Sequence, residues 1–207
     1  MLPEDIEAYA RYNEIRNELI EFKHKFEHAQ IKHIPLDVIE LSKISLAETL
    51  QDRYVEIQPE NPDEEQRILG VTKKPKWKKT TDAEGLRETK EMKPIIVDEE
   101  NQMIDIANAR INELPKDWRE DNVQAANDAI YVVSTLINNG APIDSEMLEN
   151  SSSFIHFKFL MRRKKLKKEI PAEQNKIYNG LSEEIKNLDR EHVPLALQEI
   201  WKNSEKG

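Results

Sequence analysis

Residues 8–29 of the chain read AYARYNEIRNELIEFKHKFEHA, and apolar side chains return in this stretch at alternating steps of four and three. This spacing is typical of a helix that packs lengthwise on another helix, because residues three and four apart share one face. We therefore predict a long N-terminal helix with a coiled-coil seam, in which each large side chain contributes about 1.5–3 kcal/mol if fully buried. The large residues of this seam are Tyr12, Ile15, Leu19, Phe22 and Phe26.

A second helix is predicted directly after the first. Ile34-Pro35 ends the first helical region, because the residue before a proline avoids the helical conformation. Apolar residues then resume with helical spacing from Leu36 to about Val55. The short connection predicts an antiparallel helical hairpin over residues 1–57, with the seam packed on the second helix. The alternative is that the two helices dock separately on a common core.

The segment from residue 58 to residue 98 has a different composition. Apolar residues are sparse in it until Ile95-Ile96-Val97. A loop of this length is unusual inside a compact domain and is typical of a linker or of an arm that contacts another chain. We predict an irregular extended connector. Four prolines interrupt it: Pro59, Pro62, Pro75 and Pro94.

Helical periodicity returns in residues 99–207, which we predict to form a C-terminal bundle of four to six helices. Apolar stripes run from Met103 to Leu114 and from Val123 to Ile137, and Gly140 provides a C-terminal stop for the second stripe. Phe154–Met161 fits either a helix or a strand, and we favour a helix because no partner strand is evident nearby. Residues 150–153, Asn-Ser-Ser-Ser, indicate a break or a new N-cap before it. The fold class is therefore predicted to be all-α.

The composition limits the classes of function. Of the 207 residues, 38% are hydrophobic and 34% are charged, and the net charge is -9. An acidic surface disfavours nucleic-acid binding over the whole molecule, although local basic patches remain compatible with it. The absence of cysteine excludes disulfides, thiolate zinc sites and cysteine nucleophiles. We expect a protein of the cytoplasm, or of a particle assembled there, because no apolar stretch approaches the roughly 18 residues of a membrane span.

Two basic clusters stand out in this acidic chain. The first contains Pro75, which excludes a regular helix and favours an extended segment that follows phosphates or docks on an acidic protein surface. The second is expected at a helix C-terminus, where cations are favoured by the helix dipole. The first cluster comprises Lys73, Lys74, Lys76, Trp77, Lys78 and Lys79. The second comprises Arg162, Arg163, Lys164, Lys165, Lys167 and Lys168.

Motifs for metal binding and catalysis are weak. His24 and His28 are one helical turn apart, and Glu21 precedes His24 with the spacing of a di-iron Glu-x-x-His element. The second copy of that element is missing, so we predict no metal site. No Gly-x-Ser-x-Gly motif and no glycine-rich phosphate loop occurs, so we predict neither a cofactor nor enzymatic activity. An active site built from residues distant in sequence stays open as an alternative.

These observations favour a non-enzymatic interaction or assembly protein, a helical subunit of a larger complex. Its expected partners are protein subunits, in a homo- or hetero-oligomer, contacted by the hairpin and the extended connector. A component of a virion or phage-assembly particle would have these features. One alternative is an accessory nucleic-acid-binding protein that uses the two lysine-rich clusters. A second is a regulator or inhibitor that binds proteins through its helical surface.

Overall fold

A computed structural model of the chain describes residues 3–56, 76–81, 88–97, 103–105, 111–114 and 116–205. The helices are α1 (Pro3–His28), α2 (Leu36–Glu56), α3 (Lys116–Asn138), α4 (Ser145–Lys165), α5 (Glu183–Arg190) and α6 (His192–Ser204). The strands are β1 (Lys76–Thr81), β2 (Glu88–Val97) and β3 (Met103–Asp105). Short 3-10 helices cover Ile111–Glu113 and Tyr178–Gly180.

The chain divides into two compact units. The first joins residues 1–47 to residues 123–207, and the second contains residues 48–122. The described part of the first unit is helical and contains no strand, so the prediction of a hairpin followed by a helical bundle is confirmed there. The units differ from the predicted division at residues 57 and 98, because the N-terminal helices pack on the C-terminal helices and share one core with them.

The predicted seam of α1 forms part of this core. Ile15, Leu19, Phe22 and Phe26 are buried, and Tyr12 is half-buried. The helix packs against α5 and α6, and the ring of Phe26 lies 5.7 Å from that of Trp201. The sequence predicts that the seam packs on α2, whereas in the structure it packs mainly on the C-terminal helices α5 and α6.

Helix α2 is also tied to the C-terminal helices. The Ser42 hydroxyl donates to the carbonyl of Glu199 at 3.2 Å, and the Asn203 amide donates to the hydroxyls of Ser42 and Ser45 at 3.3 and 3.0 Å. Ser42 and Asn203 are buried, and a buried polar group needs such partners. Both helices of the hairpin therefore dock on the core that they share with the C-terminal helices.

The turn between α1 and α2 is fastened to the end of α3. The backbone N–H of Ile34 donates to the side-chain oxygen of Asn138 at 2.6 Å, and the Asn138 amide donates back to the Ile34 carbonyl at 3.2 Å. Helix α3 stops directly afterwards, as predicted, because Gly140 adopts a φ of 78° and its N–H donates to the carbonyl of Ile137.

Helix α4 runs without interruption through residues 150–153. The carboxylate of Asp144 caps its N-terminus by accepting from the backbone N–H groups of Glu146 and Met147. The predicted break is wrong because Ser151 and Ser152 are buried inside the helix, where the Ser152 hydroxyl donates to the Leu148 carbonyl at 2.6 Å. The helical interpretation of Phe154–Met161 is confirmed.

The second unit contains a three-stranded antiparallel sheet in the order β1-β2-β3. The predicted connector is therefore not irregular throughout, because the β-branched run Ile95-Ile96-Val97 favours a strand and pairs with β3. The helical stripe predicted from Met103 to Leu114 is also wrong at its start. Pairing of Met103 with Val97 outweighs the helical spacing, and Ile111–Glu113 forms only a 3-10 turn.

Candidate protein-docking surface

The outer side of α4 is apolar and accessible. Phe154, Phe157 and Met161 follow one another at steps of three and four, so they share one side of the helix. Phe157 is 56% exposed and Met161 is 54% exposed. On the inner side of the same helix, Leu148 and Ile155 are buried in the core. Helix α4 thus carries apolar side chains on both sides, and among the described residues those of the inner side are the buried ones.

A residue of α3 extends this apolar side. Tyr131 is 57% exposed, and its ring lies 6.1 Å from the ring of Phe154 in a tilted arrangement. Such ring pairs form preferentially at centroid separations of about 4.5–7 Å. We refer to Tyr131, Phe154, Phe157 and Met161 together as the aromatic surface.

Ion pairs at one edge of the aromatic surface hold α3 and α4 together. Arg162 donates to the carboxylate of Asp128 at 2.8 Å, and both side chains are largely buried. The ammonium of Lys158 lies 4.0 Å from the same carboxylate and 5.7 Å from the ring of Phe154. These contacts fix the position of the α4 backbone and so of the apolar side chains that it carries.

The second basic cluster ends α4, as predicted, but its charges are not equivalent. Arg162 is paired with Asp128, and the guanidinium of Arg163 lies 5.4 Å above the ring of Phe159. Lys164, Lys165 and Lys167 are exposed, and Lys168 is partly exposed. The exposed lysines give this end of the aromatic surface a positive rim.

The first basic cluster falls in the second unit. Residues 76–79 lie in β1, where Lys76 pairs with Ile95 and Trp77 with Pro94 along the backbone, so the predicted extended conformation is confirmed. Lys73 and Lys74 lie outside the described residues.

A polar cluster between α4 and α5 was not found by sequence reasoning. Arg190 contacts the carboxylates of Glu149 at 2.9 Å and Glu183 at 2.7 Å, and its guanidinium lies 4.5 Å above the ring of Tyr12. Burial lowers the pKa of Arg190, but the two carboxylates outweigh burial and raise it above its usual value. The Tyr178 hydroxyl donates to Glu149 at 3.0 Å, and burial raises the pKa of that phenol. The cluster fixes α1, α4 and α5 together.

His156 makes a second polar contact on the inner side of α4. Its Nδ1 lies 3.0 Å from the Asp189 carboxylate, and its Nε2 lies 2.9 Å from the carbonyl of Lys176. The available sequence signal was a single histidine within the otherwise apolar run Phe154–Met161. Its partners lie in other elements, so periodicity along α4 gives no indication of them.

The histidines considered for metal binding are not gathered with other ligands. His24 and His28 are exposed on α1, and the nearest charged contact of His24 is Glu27 at 3.9 Å. Among the residues that the structure describes, no group of three or more His, Asp or Glu side chains is arranged to hold a metal ion. In the same part of the chain, no helix is long and apolar enough to cross a membrane.

Comparison of the chain with protein-family models, with curated proteins and with solved structures finds no match in any of the three.

Proposed function

We propose that this chain is a non-enzymatic helical subunit of a larger protein assembly and that it docks a partner subunit on the aromatic surface. The observation that carries the proposal is the exposure of Phe157 and Met161 on a helix whose other side is already buried. A group of exposed large apolar residues is typical of an interaction site.

The chemistry of the surface specifies the kind of partner. Aromatic residues and methionine are enriched in the centres of protein interfaces, and lysine belongs to their rims. The exposed Lys164 and Lys165 border the apolar residues at the C-terminal end of α4. The partner is therefore a protein that presents an apolar helix face with carboxylates at one edge, which the lysines would attract.

The seam of α1 is a weaker candidate for the docking site. Its residues Ile15 and Leu19 are buried within the first unit, so they are not available to another chain without unfolding. The extended connector stays a proposed second contact with partner subunits. The proposal thus moves the main contact from the hairpin to α4.

The test replaces two exposed apolar residues by charged ones. Phe157→Glu with Met161→Glu should abolish association with the partner subunit, because two carboxylates would be desolvated in the apolar centre of the interface. The measurement is mass by light scattering of the purified complex, together with the chains that copurify. The matched control is Leu41→Glu with Ile44→Glu on α2, which changes two residues of similar exposure and should leave the complex intact.

Two results would contradict the proposal. One is a strictly monomeric wild-type protein from which no partner copurifies. The other is loss of the complex to the same extent in the α2 control, which would indicate a general effect of added negative charge.

Nucleic-acid binding is the second candidate, supported by the three exposed lysines at the end of α4. It predicts an affinity for single-stranded oligonucleotides that falls steeply as salt rises, because bound phosphates release counterions. Lys164→Glu, Lys165→Glu and Lys167→Glu together should remove that affinity, whereas Phe157→Glu with Met161→Glu should preserve it. No binding in fluorescence anisotropy at low salt would exclude this candidate.

A further inference from the structure

His156 is a buried histidine with an acceptor at each ring nitrogen. The residue is 3% exposed. Nδ1 faces the Asp189 carboxylate at 3.0 Å, and Nε2 faces the Lys176 carbonyl at 2.9 Å. An ionised carboxylate and a carbonyl only accept hydrogen bonds, so the ring satisfies both when each of its nitrogens donates. The arrangement therefore favours the charged imidazolium form.

The residue that supplies the carbonyl belongs to a weakly anchored segment. None of residues 167–177, between α4 and the 3-10 turn at Tyr178, is buried. The Lys168 N–H donates to the Arg163 carbonyl at the start of the segment, whereas the N–H groups of Gln174 and Asn175 bond within it, to Pro171. A segment with few buried contacts opens at low free-energy cost. The His156 contact attaches the far end of this segment to α4.

The surroundings of the ring favour its charged form. The hydrogen bond with Asp189 raises the pKa of His156, burial opposes it, and the backbones of Lys176 and Gln174 raise it further. Asp189 is the charged group that α5 contributes. The other close groups are the rings of Phe159 and Tyr178, each 6.2 Å away, and burial raises the pKa of the Tyr178 phenol so that it stays neutral.

We propose that His156 is a pH-responsive latch, which holds residues 167–177 against α4 while its ring is charged and releases them when the ring loses a proton. The neutral ring keeps its remaining proton at Nδ1, because the hydrogen bond from Nδ1 to the Asp189 carboxylate is stronger than the one from Nε2 to the Lys176 carbonyl. Nε2 then presents a lone pair to the Lys176 carbonyl, and two acceptors face each other at 2.9 Å. Opening of the segment lets water supply the missing donor.

The direction of the pH dependence follows from the number of protons that the closed and the open forms of the segment bind. The Lys176 carbonyl favours a proton on Nε2 in the closed segment, whereas water faces Nε2 in the open one, so the closed segment binds more protons over the range in which His156 titrates. Opening therefore becomes more favourable as the pH rises, by at most about tenfold per pH unit, and levels off once His156 is neutral.

The first test is a pH titration of the full chain with nitrogen-15-labelled histidine, followed by NMR. Both nitrogens of the His156 ring should carry protons at pH 6, and the midpoint of its titration should lie above 6.5. A midpoint at or below 6.5, or a neutral ring at pH 6, overturns the proposal. This measurement uses the wild-type protein and does not depend on a variant that folds.

The second test is hydrogen exchange of residues 167–177 at pH 6 and pH 8, corrected for the intrinsic rate. The wild-type segment should open several-fold more often at pH 8, and His156→Gln should remove this difference. The matched control is His192→Gln. The Nδ1 of His192 also faces a carbonyl, that of Leu188 at 2.8 Å, but His192 belongs to α6 rather than to α4. The control should keep the wild-type pH dependence. Equal corrected exchange at both pH values in the wild-type protein overturns the latch.

Discussion

Arg190 joins three helices of the first unit through one side chain. Its guanidinium contacts Glu149 of α4, Glu183 of α5 and the face of the Tyr12 ring of α1. The Arg190 side chain is 5% exposed, so its charge depends on these partners for the stabilisation that water would otherwise provide. A single residue thus connects the seam of α1 to the cluster between α4 and α5.

Arg190→Ala should lower the free energy of unfolding by about 3 kcal/mol, because Glu149 and Glu183 lose their shared cation and keep only the contacts with Tyr178 and Lys186. The carboxylates are partly in contact with water, which keeps the loss at the low end of the range for buried pairs. Urea unfolding followed by circular dichroism measures it. The control Lys43→Ala removes an exposed pair with Glu40 and should cost at most about 1 kcal/mol. An equal loss in the two variants would contradict the role of Arg190.

For single residues, the sequence predicts which apolar side chains are buried better than it predicts which polar side chains contact each other. The spacing of Ile15, Leu19 and Phe22 predicts their burial directly, because one helix face determines it. The partners of Arg190 and His156 could not be predicted, since Glu149 is 41 residues from Arg190 and lies in another helix. The exposure of Phe157 and Met161 also depends on which side of α4 the core covers, and the spacing along α4 does not specify that side.

The connection between α1 and α2 shows how elements are held in place. Both polar backbone atoms of Ile34 are bonded to the side-chain amide of Asn138, at the end of α3. Ile34 itself is buried, so water could not replace these bonds without opening the turn. The turn therefore depends on a residue 104 positions away in the chain.

Asn138→Ala should destabilise the protein by about 1–3 kcal/mol, because the buried N–H and carbonyl of Ile34 lose their partner. The neighbouring Asn139→Ala is the matched control, since its side chain is exposed and bonds only locally to the Thr135 carbonyl. Chemical denaturation of both variants measures the difference. A control as unstable as Asn138→Ala would instead indicate an effect on the end of α3.

Only one of the two predicted breakers ends a helix. Gly140 ends α3 for steric reasons that act within a few residues, whereas α1 already ends at His28, where Gln30 adopts a φ of 54°, and Pro35 directly precedes α2. The strand at Met103–Asp105 was not predictable in this way, because its pairing with β2 depends on residues of another segment. The continuous course of α4 through Ser151 and Ser152 has the same origin, since burial against other helices outweighs the local preference of serine for a cap.

The first unit is built from both ends of the described chain. The Asn187 amide donates to the Ala8 carbonyl at 2.8 Å, and Arg11 contacts Glu191 at 2.6 Å. The predicted domain boundaries miss this contact between N-terminal and C-terminal helices, because periodicity shows that a helix face is buried but not which segment buries it. Such an arrangement should make α1 and α6 unfold together.

Ile15→Ala should lower the free energy of unfolding by about 2–5 kcal/mol and increase hydrogen exchange in α6 as well as in α1, because its side chain is fully buried. Ile20→Ala is the matched control, since it removes the same atoms from the same helix at a position that is 45% exposed. Faster exchange confined to α1 in the Ile15 variant would contradict a shared cooperative unit.

The bond between Asn187 and Ala8 also has a consequence for biosynthesis. The two residues are 179 positions apart, so a ribosome that adds about 5–20 residues per second needs roughly 10–35 s to proceed from one to the other. During this time the nascent α1 has no α5 or α6 on which to bury its apolar seam. The new chain therefore presents Leu19 and Phe22 to chaperones and to neighbouring nascent chains before it can fold on itself.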